Sequence, residues 1–242
     1  MTILHPQTTV GDLVKARPGR SRVFEDLKID YCCGGKLPLA EACENQDLDL
    51  PSVLQESDAQ SAPDTVPLVD ADAMSLTELT DHIQQTHHEY LKAELPRLDA
   101  STQKVLEVHA SSDRRLAEVR RAYVTLYEEL VGHMMKEEQI LFPMIRQLES
   151  ATGVPAFHCG SVANPIRQME WEHDSAGNAL AILNGFTDGY QPPEWACNTY
   201  RAMLDGLMQL EWDLHQHIHK ENNVLFPKAI RLEAERSVSK RA

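Results

Sequence analysis

His133-Met134-Met135-Lys136-Glu137 runs on through Glu138-Gln139-Ile140 to Leu141-Phe142-Pro143. His217-Ile218-His219-Lys220-Glu221 runs on through Asn222-Asn223-Val224 to Leu225-Phe226-Pro227. Both stretches read H-x-x-K-E-x-x-x-L-F-P, at an offset of 84 residues (133 to 217). Two further histidines, His88 and His173, lie 85 residues apart, and each precedes an acid, Glu89 or Asp174. A duplicated unit with one histidine, then a histidine and a glutamate a helical turn apart, supplies what a two-metal site inside a helical bundle requires.

Around the repeat, four long helical segments can be drawn. The first starts at Ser75, where Ser75 and Glu78 have capping-box spacing, and runs to about Leu95 before Pro96, with a continuation through Leu106 left open. The second runs from about Ser112 to Leu148. The third opens at Asn164-Pro165, with Asn as N-cap and Pro as first helical residue, and ends near Asn184-Gly185. The fourth begins after Pro192-Pro193 and reaches about Arg231, and Pro143 and Pro227 are expected to kink or end their helices. The expected fold class is all-α, an up-down-up-down four-helix bundle.

The repeated residues fall in the apolar stripes of their helices. In the second helix the stripe is Leu116, Val119, Tyr123, Leu126, Leu130, Ile140 and Met144, and His133 and Glu137 fill its two gaps. In the fourth it is Met203, Leu207, Leu210, Leu214 and Val224, completed by His217 and Glu221. A carboxylate facing a core must be protonated, paired or bound to a cation. A metal-free Glu–His⁺ cluster would satisfy one such pair; two pairs in register, each with a further histidine, favour metal. His173 lies on a face with Ile166, Met169, Ala176, Leu180 and Leu183. At the first helix His87 fits the upstream pattern of Leu79 and Ile83, whereas the repeat offset favours His88. His215 and His219 lie on the far side of the helix from His217 and are set aside as ligands.

Six ligands, four of them imidazoles, exceed one tetrahedral zinc, and calcium and magnesium prefer oxygen alone. A pair of irons is the expected cofactor, with manganese as the lesser option. Granting octahedral irons, four histidines, two bridging glutamates and an oxo or hydroxo bridge leave about one open position on each, suited to dioxygen or nitric oxide.

Composition bounds the rest. The chain has 242 residues, 42% of them hydrophobic, and a formal charge of −14, which argues against nucleic-acid binding. No apolar run approaches a membrane span, and no secretory signal is visible at Met1–Val10. The five cysteines include an adjacent pair and suit a reducing cytoplasm. Residues 1–55 read as a small helical domain, with two short helices from Val10 to Leu27, a loop at Tyr31-Cys32-Cys33-Gly34-Gly35 and a third helix around Leu39–Glu44. Residues 56–72 read as a linker, leaving 73–242 for the bundle.

The motifs Tyr31–Gly35, His133–Pro143 and Glu221–Pro227, in this order, resemble those of the hemerythrin-like Repair of Iron Centers family, over nearly the whole chain. The resemblance implies a hemerythrin-like bundle with iron ligands at His88, His133, Glu137, His173, His217 and Glu221. It implies a cytoplasmic bacterial protein of nitrosative and oxidative stress that binds nitric oxide and supports repair of damaged iron–sulfur clusters in client proteins; iron donation is the route expected here. A second copy of the chain is admitted as a partner. Cys32 and Cys33 read either as a tight turn with incidental thiols or as a thiol site relaying iron, nitric oxide or electrons, and the resemblance favours the relay. Cys43, Cys159 and Cys197 are taken as ordinary thiols. The competing functions are a scavenger or sensor of nitric oxide or dioxygen, and an enzyme reducing nitric oxide.

Overall fold

The computed structural model describes residues 5–59 and 69–239. Residues 60–68, which hold much of the expected linker, lie outside the described residues, as does the start of the chain at 1–4. In chain order the helices are α1 (Val10–Ala16), α2 (Arg20–Asp26), α3 (Leu39–Asn45), α4 (Leu50–Ala59), α5 (Leu76–Ile83), α6 (Glu89–His109) and α7 (Leu116–Lys136). They continue with α8 (Phe142–Ser150), α9 (Ala163–Phe186), α10 (Asn198–Lys220) and α11 (Phe226–Ser239). Three π-helical turns interrupt them, Gln84–His88, Glu137–Leu141 and Glu221–Leu225. No strand occurs among the described residues beyond one bridge between Thr9 and Pro38, so the protein is all-α.

The chain divides into two compact units, Met1–Thr80 with Ile145–Ala156 and His215–Ala242, and Asp81–Met144 with Phe157–Leu214. In the first unit, α1 to α4 close over Val10, Leu13, Phe24, Ile29, Tyr31, Leu39 and Val53. Thr9 caps α1 by accepting the Asp12 N–H at 3.2 Å. Helix α4 is not among the elements that the sequence pattern predicts. Its signals are Asp49, whose carboxylate accepts from Ser52 N–H at 3.1 Å, and Pro51 in the first turn. The capping box at α5 is present: Ser75 N–H reaches Glu78 at 2.9 Å, and Glu78 N–H reaches Ser75 Oγ at 3.2 Å. Glu149 on α8 accepts the next two N–H groups, those of Leu76 and Thr77, each at 2.8 Å.

The second unit is the up-down-up-down bundle of α6, α7, α9 and the first part of α10. Leu91, Leu95, Leu98, Leu126, Leu130, Leu180, Leu207 and Leu210 are among its core residues. Burying each such side chain is worth about 1.5–3 kcal/mol, so a continuous leucine stripe outweighs local breakers. Pro96 does not end the first helix for that reason. It sits exposed on α6, while Leu98, Thr102 and Val105 beyond it are buried. The third helix begins at Ala163, one residue before the expected cap. Asn164 instead donates from its side chain to the Cys159 carbonyl at 2.6 Å and accepts from Arg167.

The π turns change the register of the stripes. In each turn an N–H bonds five residues back, from Glu89 to Gln84, from Phe142 to Glu137 and from Phe226 to Glu221. One extra residue in a turn rotates the chain beyond it by about 100° relative to an α-helix. Ile140, expected in the stripe, is therefore 43% exposed, and Leu141 takes its place at 1%. Val224 keeps its buried position because α1 also packs on that turn. The prolines of the two L-F-P motifs come directly after π turns, and helices α8 and α11 run on through them.

The register shift predicts unequal costs for neighbouring truncations. Leu141→Ala should destabilise the protein by about 2–5 kcal/mol and Ile140→Ala by less than about 1 kcal/mol in chemical denaturation. Equal costs, or the reverse order, would mean that the α register continues through Glu137.

Candidate metal centre

In the bundle unit, His88, His133, Glu137 and His173 come together from α6, α7 and α9 and are all buried. Glu137 is 0% exposed, and its Oε2 lies 3.3 Å from His88 Nε2 and 3.3 Å from His133 Nε2. His173 Nε2 lies 3.1 Å from His133 Nε2. Two nitrogens on adjacent positions of one metal, with bonds of about 2.1 Å, would sit about 3 Å apart. His133, Glu137 and His173 each offer a ligand atom within 4.8 Å of the others. In the other unit His217 Nε2 lies 3.3 Å from Glu221 Oε1, and these residues are 1% and 0% exposed.

The π turns meet the candidate ligands at their ends. His88 closes the first, and Glu137 and Glu221 open the second and third. Between His133 and Glu137 the chain is still α-helical, so the two stand one turn apart on one face.

Two carboxylates that periodicity did not single out fix the rings. His88 Nδ1 lies 2.8 Å from Glu138, and His133 Nδ1 lies 2.9 Å from Glu172. An ionised carboxylate accepts only, so each Nδ1 carries the proton and each Nε2 presents a lone pair inward. Burial pushes Glu172 up, but hydrogen bonds from His133, Lys136 and Gln168 outweigh it and bring it down to about 2. Glu138 is likewise raised by burial and lowered further by Lys92 and His88. The ring of His88 also stacks on Phe142, with centroids 5.6 Å apart. The acids that the sequence drew attention to, Glu89 and Asp174, are exposed instead. The usable signal is a different acid adjoining a candidate ligand, Glu138 after Glu137 and Glu172 before His173.

His87 is also buried but turns away, with Nδ1 2.8 Å from Asp213. The side chain that faces Glu137 is that of His88.

A buried set of imidazole nitrogens and carboxylate oxygens, with its rings locked by outer carboxylates, fits iron. Comparison with known proteins agrees. Residues 79–229 match the hemerythrin HHE cation-binding domain. The chain belongs to the hemerythrin HHE family. The HHE domain holds a di-iron centre, and the buried His/Glu cluster is suited to it. Ahead of the HHE domain, residues 6–59 match a domain of unknown function (DUF542). Among curated relatives, "Iron-sulfur cluster repair protein YtfE" of Enterobacter sp. (strain 638) is 40% identical over 222 residues, covering 91% of this chain and 96% of the relative. The protein of the same name from Salmonella newport (strain SL254) is 39% identical over 223 residues, with the same shares covered.

None of the five cysteines forms a disulfide. Cys32 is buried and Cys33 half-buried, on the loop that comes after Tyr31. Cys197, expected to be ordinary, lies at the start of α10 with Sγ 3.2 Å from His109 Nε2. The backbone N–H of Tyr200, the His109 side chain and the N–H of Thr199 bring its thiol down to about 7. Burial raises that of Cys43.

Glu138→Gln or Glu172→Gln should lower iron affinity by about 10–100-fold, because a neutral amide no longer fixes the ring proton on Nδ1. Iron content after dialysis against a chelator measures it. Cys197 loses its proton at lower pH than an ordinary thiol, so its alkylation rate should climb through about pH 7 and level off above it, while Cys43 labels only at higher pH or on unfolding. Peptide-resolved mass spectrometry with iodoacetamide would separate the two.

Proposed function

We propose that the protein is a di-iron stress protein that supports repair of damaged iron–sulfur clusters by supplying iron. In this reading His88, His133, Glu137, His173, His217 and Glu221 together hold the two irons. The duplicated motif and a family match that spans all six residues support that assignment. The relatives' name, iron-sulfur cluster repair protein, supports the role.

The observation that carries the reading is the donor set. Four imidazoles against two carboxylates leave two ferrous ions with net positive charge and fewer hard ligands than an oxidase centre needs. When bound, the irons supply a redox-active pair with room for a diatomic such as nitric oxide. The chain's part is to keep Nδ1–H of His88 and His133 on Glu138 and Glu172, to keep each Nε2 aimed inward, and to exclude water through the surrounding leucines. Cys32 and Cys33 are the thiols through which iron would leave. The hydrogen bond to Cys33, burial and Asp30 raise Cys32 well above the ordinary thiol range, so at neutral pH it waits as a thiol until a cation displaces its proton.

Purified protein should carry about two irons per chain, and His133→Ala or Glu221→Ala should lose at least one. In anaerobic assays the wild type should restore a client with a damaged cluster, and Cys32→Ser/Cys33→Ser should not. Full restoration by the double variant would end thiol-dependent repair. Steady consumption of nitric oxide with a reductant, beyond one or two equivalents, would favour a reductase instead; binding without restoration would favour a scavenger or sensor.

A further inference from the structure

The loop after α2 gathers three metal-binding side chains that lie outside the HHE ligand set. Cys32 Sγ is 3.2 Å from Asp30 Oδ1 and 3.9 Å from Cys33 Sγ. The three residues each offer a ligand atom within 4.8 Å of the others. Neighbouring side chains in extended backbone point to opposite faces, so a shared direction requires a bend. Asp30 makes that bend: its Oδ1 accepts the N–H groups of Cys32 and Cys33 at 3.0 Å each, and its Oδ2 accepts that of Gly34 at 2.8 Å. The sulfurs are far beyond the length of about 2.05 Å that a disulfide needs. They do match two thiolates on one tetrahedral metal, which bonds of about 2.3 Å would place about 3.8 Å apart.

The loop is held on the segment that carries Glu221. The Asn223 side-chain amide donates to the carbonyls of Tyr31 at 3.3 Å and Cys32 at 3.1 Å. The backbone closes around that amide: a Cβ on Gly35 would lie 2.5 Å from Asn223 Oδ1, and one on Gly11 2.6 Å from it. His219 Nδ1 lies 3.2 Å from the Tyr31 carbonyl, to which it donates. Cys33 and Asp30 remain on the accessible side, and Cys32 lies beneath them.

We propose that Asp30, Cys32 and Cys33 form a second metal site, an open three-ligand acceptor for one borderline divalent cation such as iron(II). Two thiolates select against calcium and magnesium, and the carboxylate keeps the site from being a purely soft one. Three ligands leave a fourth position for water or an incoming ligand, so the site exchanges its ion where a closed four-ligand site would retain it. Binding expels the two thiol protons to solvent and cancels the repulsion among three potential anions packed together. Its use as a transfer point for iron rests on the iron-supply reading above; its existence does not.

Cobalt(II) is the probe, added anaerobically to reduced, iron-loaded full-length protein. Equilibrium dialysis should find one cobalt per chain beyond the iron, with a thiolate-to-cobalt charge-transfer band in the difference spectrum. Cys32→Ala/Cys33→Ala should lose both band and cobalt. Asp30→Asn, which keeps an oxygen acceptor for the Cys32 and Cys33 N–H groups but loses the one for Gly34, should bind at least about tenfold more weakly while the protein stays folded, with the melting temperature lowered by no more than the loss of one exposed hydrogen bond. No extra cobalt, a band that survives in the double variant, or wild-type affinity in Asp30→Asn would overturn the site. Repair that depends on the thiols without any cobalt uptake would also sink the site and spare the repair reading. Cobalt uptake with undiminished repair by Cys32→Ser/Cys33→Ser would do the opposite.

Discussion

A carboxylate with no solvent exposure, Glu137, is the constraint around which the bundle unit is organised. Taking an ionised carboxylate out of water costs several kcal/mol even after relaxation, and leucine neighbours cannot offset it. Nε2 of His88 and that of His133 each stand 3.3 Å from Glu137, and each imidazole is held through Nδ1 by an acid nearer the surface. Glu138 and Glu172 stay ionised with Lys92 and Lys136 beside them. From the surface inward the order is lysine, carboxylate, imidazole N–H and then a cluster of imidazole nitrogens and Glu137 oxygens, a donor set suited to a cation.

The helices depart from α geometry where that series is anchored. A π turn adds one residue, so beyond Glu137 the apolar stripe resumes one position later, at Leu141 in place of Ile140. After Glu137 and Glu221 the chain supplies Phe-Pro, and a proline in α geometry would drive its ring into the carbonyl four residues back. At Gln84–His88 there is no proline, and the turn coincides instead with the paired histidines, of which one reaches Glu137 and the other Asp213.

The polar residues on the other side of the last repeat serve the N-terminal helices. Tyr31 stacks edgewise on His219 with centroids 5.5 Å apart and receives a hydrogen bond from Gln216 on its hydroxyl, while Glu25 holds His215. Burial brings His219 down to about 4, so it is a neutral donor to the Tyr31 carbonyl near pH 7. His215 and His219, four apart like the ligand pairs, are therefore fastenings for the loop that bears the cysteines. The segment 215–223 carries the candidate ligands His217 and Glu221 and also holds the cysteine loop, through His219 and Asn223.

Periodicity alone was enough for the all-α class, the four long helices, the capping box at Ser75 and Glu78, and the convergence of His133 and Glu137 on one face. Those features depend on spacing within one helix, which sequence states directly. The 85-residue offset between them, and the acid after each, brought His88 and His173 into the candidate set as well. What sequence could not state was anything that depended on a neighbour in space. Ile140 belongs to the stripe by counting and is exposed in fact, since a π turn leaves no periodic trace. Glu138 and Glu172 look like solvated surface acids until another helix sets a ring nitrogen beside each. The choice between His87 and His88 needed the position of Glu137. Asp30 gained meaning only when the bend turned two sulfurs towards its carboxylate. Local spacing wrote the candidate ligands; packing between elements decided which nitrogen, which acid and which thiol each of them meets.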